Sequence, residues 1–204
     1  MKATIYACQF AIGSYIVYRT SVTMASQKSY CKASETMSRD RLDLAVRQIE
    51  FAREYTLGMI KDIEDDLWFR QCADCPTHIA WQIGHLAMAQ YALTMIRIRG
   101  KEPEDEQLLS KNFFRSFQKG TSPIFDASEY PTPEEIRATL NRVHNVSLSE
   151  LSRYDDKELD VKLPEPHAVF DTKLGSVFFC SAHEMMHAGQ IGLLRRMMGK
   201  APIR

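Results

Sequence analysis

The sequence predicts an all-α protein, and specifically a four-helix bundle. Four long segments carry apolar residues at intervals of three or four, which is the period of an amphipathic helix. No segment of the 204 residues gives a convincing strand pattern, and no internal repeat is present. The connections after the second and third helices are long, so we expect a topology other than a plain up-down-up-down bundle.

Start and stop signals delimit these helices. The third helix has the clearest signal, with Thr132 as N-cap, Pro133 at the first helical position and Glu135 completing a capping box. Gly100 and Gly199 are typical residues to follow a helix end. The predicted helices cover residues 39–68, 76–99, 132–154 and 171–199. The remaining segments, 100–131 and 155–171, are predicted to be irregular connections.

Residues 1–38 are predicted to lie outside the bundle, which would comprise residues 39–204. Residues 6–18 are mainly apolar and Thr23-Met24-Ala25 resembles a weak cleavage site, so a signal-like stretch leaves export open. Residues 26–38 are polar and are typical of a linker. We expect a disordered extension or an over-extended reading frame, and a cytoplasmic protein.

Charge and cysteine content argue against several classes of protein. Lys plus Arg and Asp plus Glu both number 26, so the formal net charge is zero, and neither nucleic acid nor an anionic membrane is an expected partner. No charge-free apolar run reaches the roughly eighteen residues that a membrane span needs. The five cysteines are an odd number without regular spacing, so we expect a reducing compartment and no disulfide framework.

The strongest chemical signal is His183-Glu184-Met185-Met186-His187 in the fourth helix. Residues four apart lie on one helix face, where two imidazoles can bind one metal ion without bending the helix. Both histidines lie on the apolar face of this helix, which continues through Ile191. At such positions the periodicity predicts apolar residues rather than histidine. An inward-facing imidazole needs a partner, and a shared metal ion would satisfy both.

The second helix shows the same anomaly at His85. This histidine lies in the middle of a largely apolar helix, and the neighbouring Gly84 allows a close approach of another helix. Three histidines leave positions open for water or substrate, as catalytic metal sites do. The sequence therefore predicts a metal site formed by His85, His183 and His187.

Three further residues on these helix faces are predicted to line the pocket: Trp81, His78 and Cys180. His78 could instead cap the helix start, and Cys180 could be a fourth ligand or a small buried side chain. The pair Cys72-x-x-Cys75 lacks the second pair of a zinc ribbon, so we interpret it as incidental.

The motif HExxH also occurs in metalloproteases, where its glutamate is the general base. Such enzymes take a third ligand from downstream, but residues 188–204 contain no Asp, Glu, His or Cys. Gln190 and Leu193 also stand where the extended pattern has Gly and His. Glu184 points about 100° away from His183, so we expect a carboxylate behind the ligands or on the surface rather than a base.

Two segments resemble the signatures of a known family. Residues 77–87 (THIAWQIGHLA) resemble the second-helix signature of the DinB-like (damage-inducible) metalloenzymes, and residues 183–202 (HEMMHAGQIGLLRRMMGKAP) resemble that family's C-terminal signature. The resemblance covers about residues 39–204. It implies a four-helix bundle of the DinB-like type, often a homodimer, with a divalent metal ion held by three histidines that match His85, His183 and His187.

The resemblance also implies chemistry. The family includes transferases and isomerases that use the thiols bacillithiol or mycothiol, so a low-molecular-weight thiol is an expected cofactor. We expect a transferase or hydrolase acting on a small molecule, with metal-bound water or thiol as nucleophile. Imidazole ligands suit zinc, nickel, copper and iron alike, and we expect zinc or nickel first, with iron or manganese as the next candidates. The alternatives are a non-catalytic metal- or ligand-binding bundle in stress response, and a structural bundle whose histidines bind nothing.

The two long connections are expected to form the walls of the pocket. The segment 100–131 is rich in aromatic and cationic side chains, and the segment 155–171 contains two prolines and a histidine. Cationic groups in these walls would suit a thiol cofactor that carries carboxylates, although a solvated loop explains the same charges. The residues proposed for this role are Lys111, Phe113, Phe114, Arg115 and Phe117.

Overall fold

The computed structural model describes residues 39–203 and confirms the four-helix bundle. The N-terminal extension predicted for residues 1–38 lies outside this range. Four long helices and three short ones make up the described chain. Their bounds are Asp40–Ile60 (α1), Ile79–Tyr91 (α2), Asp105–Leu108 (α3), Lys111–Phe117 (α4), Pro133–Leu151 (α5), Asp156–Leu159 (α6) and Lys173–Met197 (α7).

The first helix ends at Ile60, not at Trp68 as predicted, because a tertiary contact replaces its next turn. The Arg195 guanidinium of α7 donates to the carbonyl oxygen of Met59 at 2.5 Å and to the carboxylate of Asp62. These bonds satisfy backbone and side-chain groups that would otherwise continue or cap the helix. Trp68 is still fully buried, so its apolar spacing reflects the core rather than a helix.

The second helix begins at Ile79, later than the predicted Pro76, because His78 is its N-cap. The Nδ1 atom of His78 accepts the backbone N–H of Trp81 at 3.1 Å. Beyond Tyr91 the helix continues through a π-helical turn, Ala92–Ile96, into a last helical turn, Arg97–Arg99. Its end before Gly100, which has a φ of 93°, is as predicted.

The third and fourth long helices follow the predicted signals. Thr132 and Glu135 form the capping box at the start of α5, with the backbone N–H of Thr132 donating to the Glu135 carboxylate at 2.8 Å. Thr172 caps α7 by accepting the backbone N–H of Gly175 at 3.0 Å. Both helices lie within the predicted segments, 132–154 and 171–199.

The two connections contain short helices that periodicity did not predict. Between α2 and α5 lie α3, α4 and a 3-10 turn at Ala127–Glu129, and α6 lies between α5 and α7. These helices are too short to show an apolar period. Local contacts stabilise α4: Ser110 caps its start, and Phe113 and Phe117 are buried on its inner face. Along residues 39–203 no strand is present beyond one isolated bridge, Lys162 to Thr172.

The long helices pack mainly in two pairs, α1 against α7 and α2 against α5, and α2 also contacts α7. The larger of two apolar clusters contains Trp68, Ile83, Phe117, Leu140 and Ile191. The contact between α2 and α7 brings the helix with His85 and the helix with His183 and His187 together in the core. No helix in the described part of the chain is long and apolar enough to cross a membrane.

Candidate metal centre

The α2–α7 contact brings the three predicted histidines into one cluster. His85 comes from α2, and His183 and His187 come from adjacent turns of α7; one ring nitrogen of each lies within 4.8 Å of the others. The ring centroids are 4.6 to 5.2 Å apart. His85 and His187 are buried, whereas His183 is half-buried. The cluster is therefore closed on the bundle side and open beside His183.

The backbone of the α2–α5 connection orients His85. The Nδ1–H of His85 donates to the carbonyl oxygen of Phe117 at 2.7 Å, which leaves Nε2 as the nitrogen with a free lone pair. Trp81 stacks on the imidazole, with centroids 4.8 Å apart and planes 7° apart. The Phe117 ring itself packs on Gly84, where a Cβ atom would lie only 2.4 Å from the ring.

Gln82 orients His187 in the same way. The Nδ1–H of His187 donates to Gln82 Oε1 at 2.5 Å. The Gln82 amide nitrogen donates to Thr77 Oγ1 at 2.9 Å and to Gln190 Oε1 at 2.8 Å, so the direction of the amide is fixed by three bonds. Both buried histidines thus present Nε2 for a shared ligand, and each has a hydrogen-bond acceptor behind it.

Sequence reasoning missed Gln82 and the Phe117 carbonyl. Gln82 is a buried polar residue in an almost wholly buried helix, and that mismatch is a signal that could have found it. A backbone carbonyl carries no sequence signal. Its role depends on the path of the connection, which folds back on α2.

Burial keeps the three imidazoles neutral. Desolvation lowers the pKa of His85, and together with repulsion between the rings it lowers the pKa of His183 to about 4 and that of His187 to about 3. Neutral imidazole is the form that binds a metal ion. Three neutral histidines, two of which have lone pairs oriented by hydrogen bonds, fit a divalent metal, and they contribute no negative charge to it.

Glu184 faces away from the cluster. It forms a buried, two-bond ion pair with Arg53, at 2.9 and 3.1 Å, and both side chains are about 3% exposed. Arg53 also donates to Gln90 and to the Leu140 carbonyl oxygen. The surface alternative for Glu184 is therefore wrong: the carboxylate is buried behind the ligand-bearing face and is occupied by a guanidinium.

The residues predicted to line the pocket have three different placements. Trp81 lies against the cluster, as described above. His78 is fully buried and both of its ring nitrogens form hydrogen bonds. Nε2 donates to the Ile124 carbonyl at 2.9 Å, and Nδ1 accepts the backbone N–H of Trp81. His78 therefore caps the start of the helix, which was the alternative to lining the pocket. Cys180 lies in the smaller apolar cluster, outside the group of metal-ligating atoms, and burial raises the pKa of its thiol to about 12.

The cationic wall expected from α4 faces another cavity. Lys111, Phe114 and Arg115 line a hollow of about 590 Å³ together with Tyr91, and none of the three clustered histidines lines it. Phe113 is buried in the larger apolar cluster. Of the five residues proposed as walls, Phe117 is the one whose hydrogen bond reaches the cluster, because α4 turns Lys111, Phe114 and Arg115 towards the other cavity.

The helical bundle that carries this cluster of three histidines is similar to known proteins in sequence and in fold. The family model of the DinB superfamily matches residues 48–191, and the chain belongs to that superfamily. Among solved structures the chain is similar to YfiT from Bacillus subtilis, described as a probable metal-dependent hydrolase with an unusual four-helix bundle topology. The identity is 16% and the TM-score 0.54, over 93% of this chain and 97% of that one. No curated protein sequence matches the chain.

Proposed function

We propose that this protein is a divalent-metal-dependent enzyme, a thiol-dependent transferase or a hydrolase, whose metal ion is held by His85, His183 and His187. The observation that carries the proposal is the paired orientation of the two buried ligands. Phe117 O and Gln82 Oε1 each accept an Nδ1–H, so both Nε2 lone pairs are free beside His183. A buried structural histidine would also need an acceptor for its N–H, but it would not need its other nitrogen to lie free beside two further imidazoles.

The residues around the cluster limit the possible chemistry. A bound divalent ion would supply Lewis acidity and lower the pKa of a coordinated water or thiol. Glu184 is occupied by Arg53 and Cys180 remains a neutral buried thiol, so neither is placed to serve as a nucleophile or a base. We infer that the nucleophile is a small molecule, water or a thiol, and that no covalent intermediate on the protein forms. The similarity to a hydrolase structure supports the proposal without deciding between the two nucleophiles.

Elemental analysis of the purified full chain tests this proposal. We expect about one zinc or nickel ion per chain, with iron or manganese as the next candidates, and loss of that metal in His85→Ala. The matched control is His144→Ala, which removes a half-buried histidine outside the cluster. Absence of metal after incubation with zinc, nickel, manganese and iron would contradict the proposal.

A second assay separates the enzyme from the non-catalytic binding bundle. The metal-loaded protein is screened for ester and amide hydrolysis, and for transfer of a thiol to an electrophile. Turnover that depends on the metal and disappears in His187→Ala supports the enzyme. Stoichiometric metal without turnover in either screen favours the binding bundle.

A further inference from the structure

The open side of the cluster continues into an aromatic surface. The Phe179 ring lies 5.8 Å from the His183 ring and 5.4 Å from the His167 ring. His167 stacks on Phe170 at 4.6 Å with planes 17° apart, and the guanidinium carbon of Arg97 lies 5.2 Å from the centre of the same phenyl ring. Three contacting rings therefore connect the half-exposed ligand to a cationic side chain.

A second cation, Lys119, lies in the connection between α4 and α5. It belongs to a short segment that is anchored to α2 at two points. Phe117 O accepts from His85, and Thr121 Oγ1 accepts from Trp81 Nε1 at 3.2 Å; each anchor is two residues from Lys119. The exposed lysine is thus held beside the ligand-bearing face of α2.

Arg97 and Lys119 both act on His167. After desolvation, repulsion from Arg97 and then from Lys119 lowers the pKa of this histidine, so the charges of both cations act at its ring. The Nδ1 atom of His167 accepts the backbone N–H of Val169 at 3.3 Å, and the neutral ring therefore carries its proton on Nε2. The surroundings of the cluster thus offer three donors: the Arg97 guanidinium and the His167 imidazole N–H beside the Phe170 ring, and the Lys119 ammonium on the anchored segment.

No acidic side chain of the described residues compensates these donors. Within residues 39–203 neither Arg97 nor Lys119 has a carboxylate oxygen within 4.0 Å. Asp171, which follows Phe170, is turned towards Lys162 at 3.9 Å. The cluster itself adds no negative charge, so a divalent ion there would keep both of its positive charges. Arg97 and Lys119 therefore bring positive charge that no carboxylate of the described residues pairs with directly.

We propose that the substrate carries an acidic group, a carboxylate or a phosphate, besides the group that meets the metal, and that Arg97, Lys119 and His167 bind this acid. The proposal rests on the proposed metal centre and specifies which molecules it accepts. A planar guanidinium and an ammonium are the usual protein partners of an oxyanion. Phe179 and Trp81 supply apolar surface for the carbon skeleton between the two ends.

Hydroxamates, which bind a metal ion through two oxygens, are suitable probes. The zinc-loaded full chain is titrated calorimetrically with the monohydroxamates of succinic and adipic acid, and with uncharged alkyl hydroxamates of the same lengths. We expect the acid to tighten binding by about tenfold or more in one member of the series, as a charge-assisted hydrogen bond would. Phosphonoacetohydroxamate forms a parallel arm, and the tighter of the two acids identifies carboxylate or phosphate as the preferred group.

Arg97→Gln and Lys119→Gln should each remove most of this gain. Affinity for the uncharged hydroxamates and zinc content should stay unchanged, which also shows that the variants are folded. Arg115→Gln is the matched control, because Arg115 is an exposed cation of α4 that lines the separate cavity. It should keep the whole gain.

Equal binding of charged and uncharged hydroxamates by the wild-type chain would overturn the proposal. Persistence of the gain in the double variant Arg97→Gln/Lys119→Gln would do the same. In both cases the uncharged hydroxamate still reports an intact zinc centre, so the proposed function survives. If the chain retains no zinc and binds no hydroxamate, the proposed function fails and this inference fails with it.

Discussion

Gly84→Ala tests whether the contact between α2 and α4 sets metal affinity. A Cβ atom at this position would lie 2.4 to 2.6 Å from three atoms of the Phe117 ring, whereas ordinary contact begins at 3.4 Å. The ring must therefore move by about 1 Å. Phe117 is fully buried and packs on Phe113 at 4.7 Å and on Tyr130 at 5.3 Å, so it has little room to rotate away. We expect its backbone to move with the ring.

The displaced backbone would take the orienting carbonyl away from His85. The Nδ1–O distance is 2.7 Å, and a shift of about 1 Å takes it beyond the range of a hydrogen bond. Loss of such a partner behind a metal ligand weakens metal binding by roughly 10- to 100-fold, or about 1.4 to 2.7 kcal/mol. Overpacking should also lower the free energy of unfolding by about 1 to 3 kcal/mol.

Competition with a chromophoric chelator measures zinc affinity, and urea unfolding of the metal-free chain measures stability. Two glycine variants serve as controls. Gly58→Ala adds its methyl group where no atom lies within 4 Å. Gly192→Ala, in the helix that carries His183 and His187, meets only the flexible end of Met59 at 2.9 Å. Both should bind zinc like the wild type. If Gly84→Ala also did so within a factor of two, the argument that Phe117 positions His85 would be wrong.

Four further outcomes are expected. Gln82→Ala should weaken zinc binding by about 10- to 100-fold in the same competition assay, because His187 loses its acceptor; unchanged affinity would remove Gln82 from the site. Arg53→Met should lower the free energy of unfolding, measured in urea, by about 3 to 5 kcal/mol, because it leaves Glu184 charged and buried. The double variant Arg53→Met/Glu184→Met should recover most of this loss. If it does not, the unpaired Glu184 charge is not the cause of the destabilisation. The metal-free chain should lose stability as the pH falls from about 6.5 towards 4, because burial and the Arg53 charge hold the pKa of His144 near 4 and the unfolded chain therefore binds more protons. His144→Asn should reduce that slope, and a flat profile between these values would refute the reasoning. Cys180→Ala should retain one zinc ion per chain in elemental analysis, since its sulfur lies outside the cluster, and a loss of zinc would show that it is a ligand.

The helices could be predicted wherever the signal is local. The capping box at Thr132 and the glycine after Arg99 act within one turn, so the sequence alone locates them. The end of α1 depends instead on Arg195, which is far along the chain. Trp68 belongs to the core without belonging to the helix, and apolar spacing does not distinguish these two cases.

In the candidate site, too, the features that depend on one helix could be predicted, and those that depend on contacts between elements could not. The spacing of His183 and His187 is a property of one helix, and the position of His85 follows from an anomaly in another, so all three could be named. What holds them could not, because the Phe117 carbonyl and the Gln82 amide act across separate elements. The error about Lys111 and its neighbours has the same origin. Composition showed that the connection is cationic, but only its path over the bundle determines which cation faces which cavity.

That path is itself set by α2. His78, Trp81 and His85 are spaced three and four residues apart on one face, and each donates a side-chain hydrogen bond to the connection, at Ile124 O, Thr121 Oγ1 and Phe117 O. The face that carries the proposed ligand His85 therefore also fixes residues 117–124 beside the histidine cluster. A connection bonded at three successive points is part of the site rather than an insertion on the bundle, and any change in its length must act on His85 through the last of these bonds.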